Sequence, residues 1–141
     1  MSGFLLDTNC ISEIVRPKPE HRVLEWIEAA EESLLYLSVL TLGEIRHGAA
    51  ALPQSKRRAR LETWLELDLQ VRFSGRILPV DDAIADRWGW LAAETGRRGR
   101  TLSVIDGLLA ATAIHHNLTI VSRDESDFAS TPVAILNPWE V

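Results

Sequence analysis

The sequence predicts an α/β fold in which helices flank a central parallel β-sheet. Short apolar segments that end at polar residues alternate with longer segments whose apolar residues recur at helical spacing. Strands that are separated by helices pair in parallel, because the crossover returns the chain to the same end of the sheet. The chain has 141 residues, 46% hydrophobic content, and no internal repeat or linker. We therefore expect one domain over residues 1–141.

In the first half of the chain, the pattern predicts two buried strands and four helices. The opening strand ends at Asp7, and a helix begins near Cys10. Pro17, Pro19 and Pro53 separate helical segments, because proline lacks the N–H group that a helix interior needs. The remaining predicted elements are a helix over 20–30, a strand over 34–37, a helix over 38–51 and a helix over 56–69.

The second half predicts three strands and two long helices. Asp81 or Asp82 is expected to cap the first of these helices, and Gly96 to end it. The second helix is apolar on nearly every side, so we expect protein to surround it. The predicted elements are a weak strand over 76–80, a helix over 82–96, a helix over 103–116, a strand over 119–122, a polar turn or short helix over 123–128 and a strand over 133–136.

Composition limits the class of function. The net charge of −5 argues against a protein that binds nucleic acid through a broad basic surface. A local cluster of acids can still attract phosphates if it holds divalent cations. The sequence has no signal-peptide pattern and no apolar run near the roughly 20 residues that span a bilayer, so we expect a cytoplasmic protein without membrane contact. Cys10 lies among apolar residues and is expected to be a packed small side chain.

Four acids are predicted to lie at one edge of the sheet. The carboxyl ends of parallel strands and the first turns of the following helices share that edge, so these side chains could enter one pocket. Carboxylates held close together repel each other unless a cation is present. Ligation by oxygen alone suits Mg²⁺ or Mn²⁺ better than zinc. The four acids are Asp7 after the first strand, Glu44 and Asp106 early in their helices, and Asp124 after the strand over 119–122.

Helix capping is the alternative interpretation of each acid. The segments 41–44, 103–106 and 122–125 match the capping box, in which a hydroxyl residue precedes an acid by three positions. For any single acid, capping is the simpler explanation. Glu44 and Asp106, however, lie within apolar sequence, where a lone buried carboxylate is costly.

Four motifs occur in order along the chain. They are LDTNCISE at 6–13, SVLTLGEIRHG at 38–48, DGLLAATA at 106–113 and VSRDESDF at 121–128. In this order and spacing they resemble the PIN-domain ribonucleases, and more closely the FitB-like branch of the VapC toxins of bacterial type II toxin–antitoxin modules. The resemblance extends over residues 5–136 and implies a PIN-like three-layer fold.

The resemblance implies a Mg²⁺-dependent endoribonuclease, with Mn²⁺ as an alternative ion. Such an enzyme cleaves structured RNA by a metal-activated water and leaves a 5′-phosphate. Ser122 falls where the family often has Thr or Ser beside the metal. Asp124 stands where many relatives have Asn, so Asp127 remains an alternative ligand. The acids that the resemblance marks as catalytic and metal-binding are Asp7, Glu44, Asp106 and Asp124.

The resemblance also implies partners. A cognate antitoxin would cover the site, and the toxin would form a homodimer or a larger toxin–antitoxin assembly. Arg16 and Arg46 are candidate phosphate contacts, although Arg16 can equally pair with Glu13. Tryptophans at helical spacing belong more often to a core than to an interface, so we expect at most one or two interface roles among Trp26, Trp64, Trp88 and Trp90.

Two other classes of function remain as alternatives. A catalytically silent PIN-like module would use the same pocket to bind RNA or protein, but the presence of all four acids argues against lost catalysis. A phosphotransfer receiver or phosphatase-like domain needs a lysine after a late strand. Lysine occurs only at Lys18 and Lys56, so we hold that hypothesis to be the weakest.

Overall fold

Five short strands form a parallel sheet in the computed structural model, which describes residues 2–141. In chain order the strands are β1 (Phe4–Leu6), β2 (Leu35–Ser38), β3 (Ile77–Leu78), β4 (Thr119–Val121) and β5 (Ile135–Leu136). Their order across the sheet is β3-β2-β1-β4-β5. Leu5 of β1 pairs with Tyr36 on one side and with Ile120 on the other. The strand that precedes Asp7 is therefore central, with β2 and β4 beside it.

Seven α-helices lie within residues 2–141 and connect these strands. They are α1 (Thr8–Glu13), α2 (His21–Ala29), α3 (Val39–Ala50), α4 (Lys56–Thr63), α5 (Leu69–Arg72), α6 (Asp82–Arg97) and α7 (Val104–His115). A π-helical turn at Trp64–Asp68 joins α4 to α5, and 3₁₀ turns occur at Glu32–Leu34 and Glu125–Phe128. None of the helices in this part of the chain has the length and apolar character that a membrane crossing requires.

Two buried clusters cover opposite faces of the sheet and confirm the predicted three-layer α/β fold. Successive residues of a strand point to opposite faces, so Leu5 and Leu6 enter different clusters although both are fully buried. Leu6 packs in a cluster that draws on α1, α2, α3, α5 and the π-helical turn, whereas Leu5 packs in a cluster that draws on α6 and α7. Cys10 is fully buried in the first cluster, as expected, and burial raises the pKa of its thiol to about 12.

Several predicted boundaries were wrong. The strand over 76–80 is reduced to two residues, because Pro79 cannot donate a hydrogen bond to the sheet. The helix expected to end at Gly96 continues to Arg97, and the backbone turns instead at Gly99, whose φ of 71° suits glycine. The helix over 56–69 extends to Arg72 through the π-helical turn.

Helix α7 is buried along most of its length but not at its start. Its central residues are buried, whereas Val104 is 58% exposed and Ile105 is 39% exposed. The prediction that protein surrounds this helix was therefore wrong for its first turn. That turn lies at the edge of the sheet where the chain enters the helix, so neither neighbouring layer covers it. Asp106 follows these two exposed residues directly and is half-buried.

Helices α6 and α7 approach each other closely at Gly107. A Cβ atom on this residue would lie 2.7 Å from Cδ1 and 2.8 Å from Nε1 of Trp88. Contacts of this length are shorter than packed atoms tolerate, so glycine is required for the two helices to meet in this way. The same close approach fixes the position of Asp106, the preceding residue.

We expect Gly107→Ala to lower the free energy of unfolding by about 1–3 kcal/mol, the usual effect of overpacking a core. Gly89→Ala is the matched control on α6, because a Cβ there would meet nothing within 4 Å. It is expected to gain about 0.5–1 kcal/mol, since alanine stabilises a helix interior relative to glycine. Urea unfolding of both variants measures the difference, and equal stability of the two proteins would contradict the packing argument.

Candidate active site

Asp7 lies at the carboxyl end of the central strand and is buried. It caps α1, because its Oδ1 accepts a hydrogen bond of 2.8 Å from the backbone N–H of Thr8. Its other oxygen, Oδ2, accepts a hydrogen bond of 2.8 Å from the hydroxyl of Ser122. One oxygen of this carboxylate is therefore occupied in capping α1, and the other is hydrogen-bonded to a residue at the end of β4.

Ser122 connects the end of β4 to Asp7. Its side chain is fully buried, and its Oγ accepts a 3.0 Å hydrogen bond from the backbone N–H of Asp124 while its hydroxyl donates to Asp7. The sequence match to the capping box at 122–125 is not realised, since Asp124 rather than Ser122 precedes the 3₁₀ turn. Ser122 instead orders the loop that carries Asp124.

Glu44 reaches the same edge from α3. Its Oε1 accepts a hydrogen bond from the hydroxyl of Thr8, the residue directly after Asp7. The predicted capping box of Thr41 and Glu44 was wrong, because β2 ends at Ser38 and Ser38 itself caps α3 by accepting from the N–H of Leu40 at 3.0 Å. Glu44 is therefore in the second turn of the helix, where capping does not explain its presence.

Asn9 holds the carboxylate of Asp124, although Asp124 is an exposed residue. The Asn9 side-chain amide donates to Oδ2 of Asp124 at 2.9 Å and to Oγ of Ser122 at 3.3 Å. Its carbonyl oxygen accepts from the backbone N–H of Arg123 at 3.3 Å. Neither the Asn9 side chain nor the Thr8 hydroxyl was predicted to hold an acid of the site. Their position could have indicated such a role, because both polar residues immediately follow a buried strand and its terminal acid.

Asp106 occupies the first turn of α7, as predicted. Ser103 caps this helix and accepts a 3.2 Å hydrogen bond from the backbone N–H of Asp106. The cap therefore uses the backbone of Asp106, and no hydrogen bond of its carboxylate occurs among residues 2–141. Asp127 lines a cavity together with Asp106. Asp124 is instead connected to Asp7 through Ser122 and Asn9.

The carboxylates at this edge lie within one another's electrostatic field. Burial, with smaller contributions from the charges of Glu44 and Asp106, outweighs the hydrogen bonds from Ser122 and Thr8 and raises the pKa of Asp7 to about 6. Burial also raises the pKa of Asp127, and the charges of Asp106 and Asp124 add to this shift. The edge thus holds more negative charge than its surroundings neutralise.

The donor set fits a hard divalent cation by its chemistry. Every candidate ligand is a carboxylate, and the nearby Cys10 thiol stays neutral because its pKa is about 12. The pKa of Asp7 is raised mainly by burial and also by the charges of Glu44 and Asp106, and a bound cation would oppose both effects by favouring the ionised carboxylate. Across residues 2–141, however, no three His, Cys, Asp or Glu side chains converge closely enough to hold one ion. The acids share an edge, but their oxygens do not form a ready chelate.

The two candidate phosphate contacts are engaged elsewhere. Arg16 forms an ion pair of 3.1 Å with Glu13, which is the alternative considered for it. Arg46 pairs with Glu66 at 2.7 Å and with Glu62 at 3.4 Å. Neither guanidinium is free to act as a simple phosphate ligand.

Comparison with known proteins identifies the family to which this fold belongs. A model of the PIN domain family matches residues 4–133. The chain is therefore a PIN-domain protein.

Individual relatives identify the family within the PIN-domain class. The chain is 39% identical to Toxin FitB of Neisseria gonorrhoeae over 135 residues, which cover 96% of this chain and 97% of FitB. It is also 39% identical over 136 residues to VapC ribonuclease Y4jK of Sinorhizobium fredii, with 96% and 97% of the two chains covered. The crystal structure of FitAcB from Neisseria gonorrhoeae superposes with a TM-score of 0.93 at 38% identity, over 98% of this chain and 99% of that chain. The chain belongs to the VapC toxin family of PIN-domain ribonucleases, on its FitB-like branch, which makes it an enzyme of the nuclease class.

The raised pKa of Asp7 predicts how the metal-free protein responds to pH. Between the unfolded pKa of 3.8 and the folded pKa of about 6, the folded state binds a proton that the unfolded state has released. Stability therefore falls as pH rises through this window, by about 3 kcal/mol in total, since one pKa unit corresponds to about 1.4 kcal/mol. Asp7→Asn removes the titration, so the variant should lack this loss and exceed the wild type in stability at about pH 8.

Urea unfolding in EDTA, at several pH values between about 4 and 8, tests this expectation. Asp86→Asn is the matched control, because Asp86 is an exposed carboxyl on α6 that is not among the groups that shift the pKa of Asp7. It should follow the pH dependence of the wild type. An Asp7→Asn protein whose stability falls with pH as steeply as the wild type would show that Asp7 is not the group responsible.

Proposed function

We propose that this chain is a divalent-metal-dependent endoribonuclease that cleaves structured RNA, and that it is the toxin of a type II toxin–antitoxin pair. The observation that carries the proposal is the buried Asp7 carboxylate, whose pKa is raised to about 6 beside Glu44 and Asp106. An unneutralised carboxylate in such a place opposes folding. A buried carboxylate at this position is explained if a cation that takes part in the reaction binds there and neutralises it.

In the proposed site, Mg²⁺ or Mn²⁺ is held by Asp7, Glu44, Asp106 and Asp124. When bound, the ion would activate a water molecule for attack on phosphorus and neutralise charge on the departing oxygen. Each carboxylate oxygen that accepts a hydrogen bond keeps a second lone pair for ligation. The protein then needs no nucleophilic side chain, and none of the four acids must take part as a covalent intermediate.

Hydrogen-bond donors behind the acids set their orientation. Ser122 holds Asp7, Thr8 holds Glu44, and Asn9 holds Asp124. Partners of this kind orient metal ligands and raise their affinity for the ion. They also keep like-charged carboxylates from turning away from each other before the ion binds. The proposed site therefore includes these three neutral residues as well as the four acids.

Exposed apolar side chains beside the acids support a protein partner. Val39 begins α3 and is 40% exposed, and the first turn of α7 exposes Val104 and Ile105. Both helices begin at the edge that carries the acids. We propose that an antitoxin segment covers this edge, with the toxin as a homodimer or in a larger assembly. The RNA substrate and the antitoxin would meet the toxin in the cytoplasm.

Cleavage of a panel of purified structured RNAs tests the activity. The wild type should cut at least one RNA with Mg²⁺ or Mn²⁺ and none with chelator. Asp106→Asn should remain folded and lose more than about a hundredfold in rate, since loss of a ligand exceeds the 10–100-fold effect of losing an outer partner. Asp86→Asn is the control for removing one negative charge from the chain, and it should keep full activity.

The same assay separates an enzyme from a catalytically silent binding module. A folded wild type that binds RNA but cuts none of the panel with either ion would favour the binding module. Cleavage that persists unchanged in Asp106→Asn, or in chelator, would contradict the metal assignment even if the protein is a nuclease.

The hydrogen bond from Thr8 to Glu44 offers a test of orientation with a matched pair of variants. Thr8→Val keeps the shape of the side chain but removes the donor, and should weaken Mn²⁺ binding by about 10–100-fold. Thr8→Ser keeps the hydroxyl and should bind Mn²⁺ nearly as the wild type does. Isothermal titration with Mn²⁺ measures both affinities without reference to activity, and equal affinities of the two variants would remove Thr8 from the proposed site.

A further inference from the structure

We propose that the cavity beside Asp106 is a subsite for the phosphate and sugar of a nucleotide next to the bond that is cut, with Arg100 as its phosphate-binding residue. This inference rests on the proposed function and specifies how the RNA is held. The Arg100 cavity has a volume of about 360 Å³. It is lined by Arg100, Thr101, Ser103, Asp106, Ser126, Asp127 and Ser130. Because Asp106 belongs to this lining, a group bound in the cavity lies next to the proposed metal site.

The lining suits a sugar–phosphate group rather than a base. Four of the seven residues carry hydroxyl groups, and none is aromatic. Proteins contact phosphates and sugars mainly through arginine, lysine and small hydroxyl side chains, whereas they hold single-stranded bases by stacking on aromatic rings. The volume lies within the range of about 300–1,000 Å³ that is usual for small-ligand pockets. We therefore expect contacts to the RNA backbone at this position, without selection for one base.

Arg100 is the cation of this cavity and has no partner in the part of the chain that the structure describes. Its guanidinium forms no ion pair and no side-chain hydrogen bond with any of residues 2–141. This distinguishes it from Arg46, which is held by two glutamates. A planar guanidinium can donate two parallel hydrogen bonds to a phosphate. Two carboxylates of the same lining, Asp106 and Asp127, would repel that phosphate, so its binding depends on the single positive group.

The main chain of Arg100 is fixed by a backbone hydrogen bond, whereas its side chain has no partner among residues 2–141. The backbone N–H of Arg100 donates to the carbonyl of Thr95 at 3.0 Å. Arg98 donates from Nη1 to the carbonyl of Ser130 at 3.1 Å and so ties this loop to another part of the lining. Between the two arginines, Gly99 adopts a φ of 71°, which glycine permits and which turns the backbone there. Arg98 therefore supports the cavity, and Arg100 is available to a ligand.

Steady-state cleavage of an RNA that the wild type cuts tests the subsite, with Arg97→Ala as the matched control. Arg97 is an exposed arginine three residues away that does not line the cavity. Arg100→Ala should raise KM by about 10-fold or more, the effect of losing a charged hydrogen bond, with a smaller change in kcat. Arg100→Lys should recover part of the loss. Arg97→Ala should change KM less than about twofold.

Binding of the same RNA in chelator gives a second readout that does not require cleavage. Fluorescence anisotropy over a range of salt concentrations should show a shallower salt dependence for Arg100→Ala, by about 0.7–0.9 in the slope of log affinity on log salt, the value for one phosphate contact. Arg97→Ala should retain the wild-type slope. Urea unfolding should show that both variants keep the wild-type stability.

The outcomes separate this inference from the proposed function. If the wild type cuts RNA and Arg100→Ala equals Arg97→Ala in KM and in salt dependence, the subsite is wrong and the nuclease stands. If the wild type cuts no RNA but Arg100→Ala alone weakens RNA binding, the proposed cleavage is wrong and the cavity remains an RNA site. If RNA is neither cut nor bound, both are overturned.

Discussion

The burial of one carboxylate constrains the rest of this structure. Asp7 follows the central strand of a sheet whose two faces are both covered, so its charge is removed from bulk water. Donors must satisfy its oxygens, and the chain provides the Thr8 backbone on one side and Ser122 on the other. These bonds lower the pKa of Asp7 but do not cancel the effects of burial and of neighbouring Glu44. The proposed ion would neutralise the negative charge that remains.

Sequence periodicity and topology were sufficient to predict the layers and the edge at which the acids lie. The apolar segments at β1 and β4 predict buried strands because both faces of a central parallel strand are covered. The positions of Asp7 and Asp124 after those strands then follow from the rule that parallel strands end at one edge. The same topology brought the four acids together at one edge, and the family resemblance then assigned them a metal-binding and catalytic role. The confirmed fold therefore depended on local pattern, whereas the proposed role of the acids depended on the resemblance.

The donors that hold the acids could not be predicted, because they depend on contacts between distant parts of the chain. Thr8 and Glu44 are 36 residues apart, and Ser122 and Asp7 are 115 apart. Capping rules also failed where tertiary structure set the helix start, since the end of β2 made Ser38 the cap in place of Thr41. Exposure at the start of α7 was missed for a similar reason. The apolar sequence of a helix indicates how buried the helix is on average. It does not show that one turn is exposed beside a cavity.

The pairing of β1 with β4 has a consequence for the time at which the site is completed during synthesis. Ser122 is synthesised 115 residues after Asp7, and Asp124 is synthesised 115 residues after Asn9. Translation adds about 5–20 residues per second, so several seconds separate the two halves of this hydrogen-bonded cluster. A prematurely terminated chain that ends before Thr119 lacks a neighbour of the central strand and two residues of the cluster. A polypeptide whose synthesis has not passed Asp124 therefore cannot assemble the acidic edge.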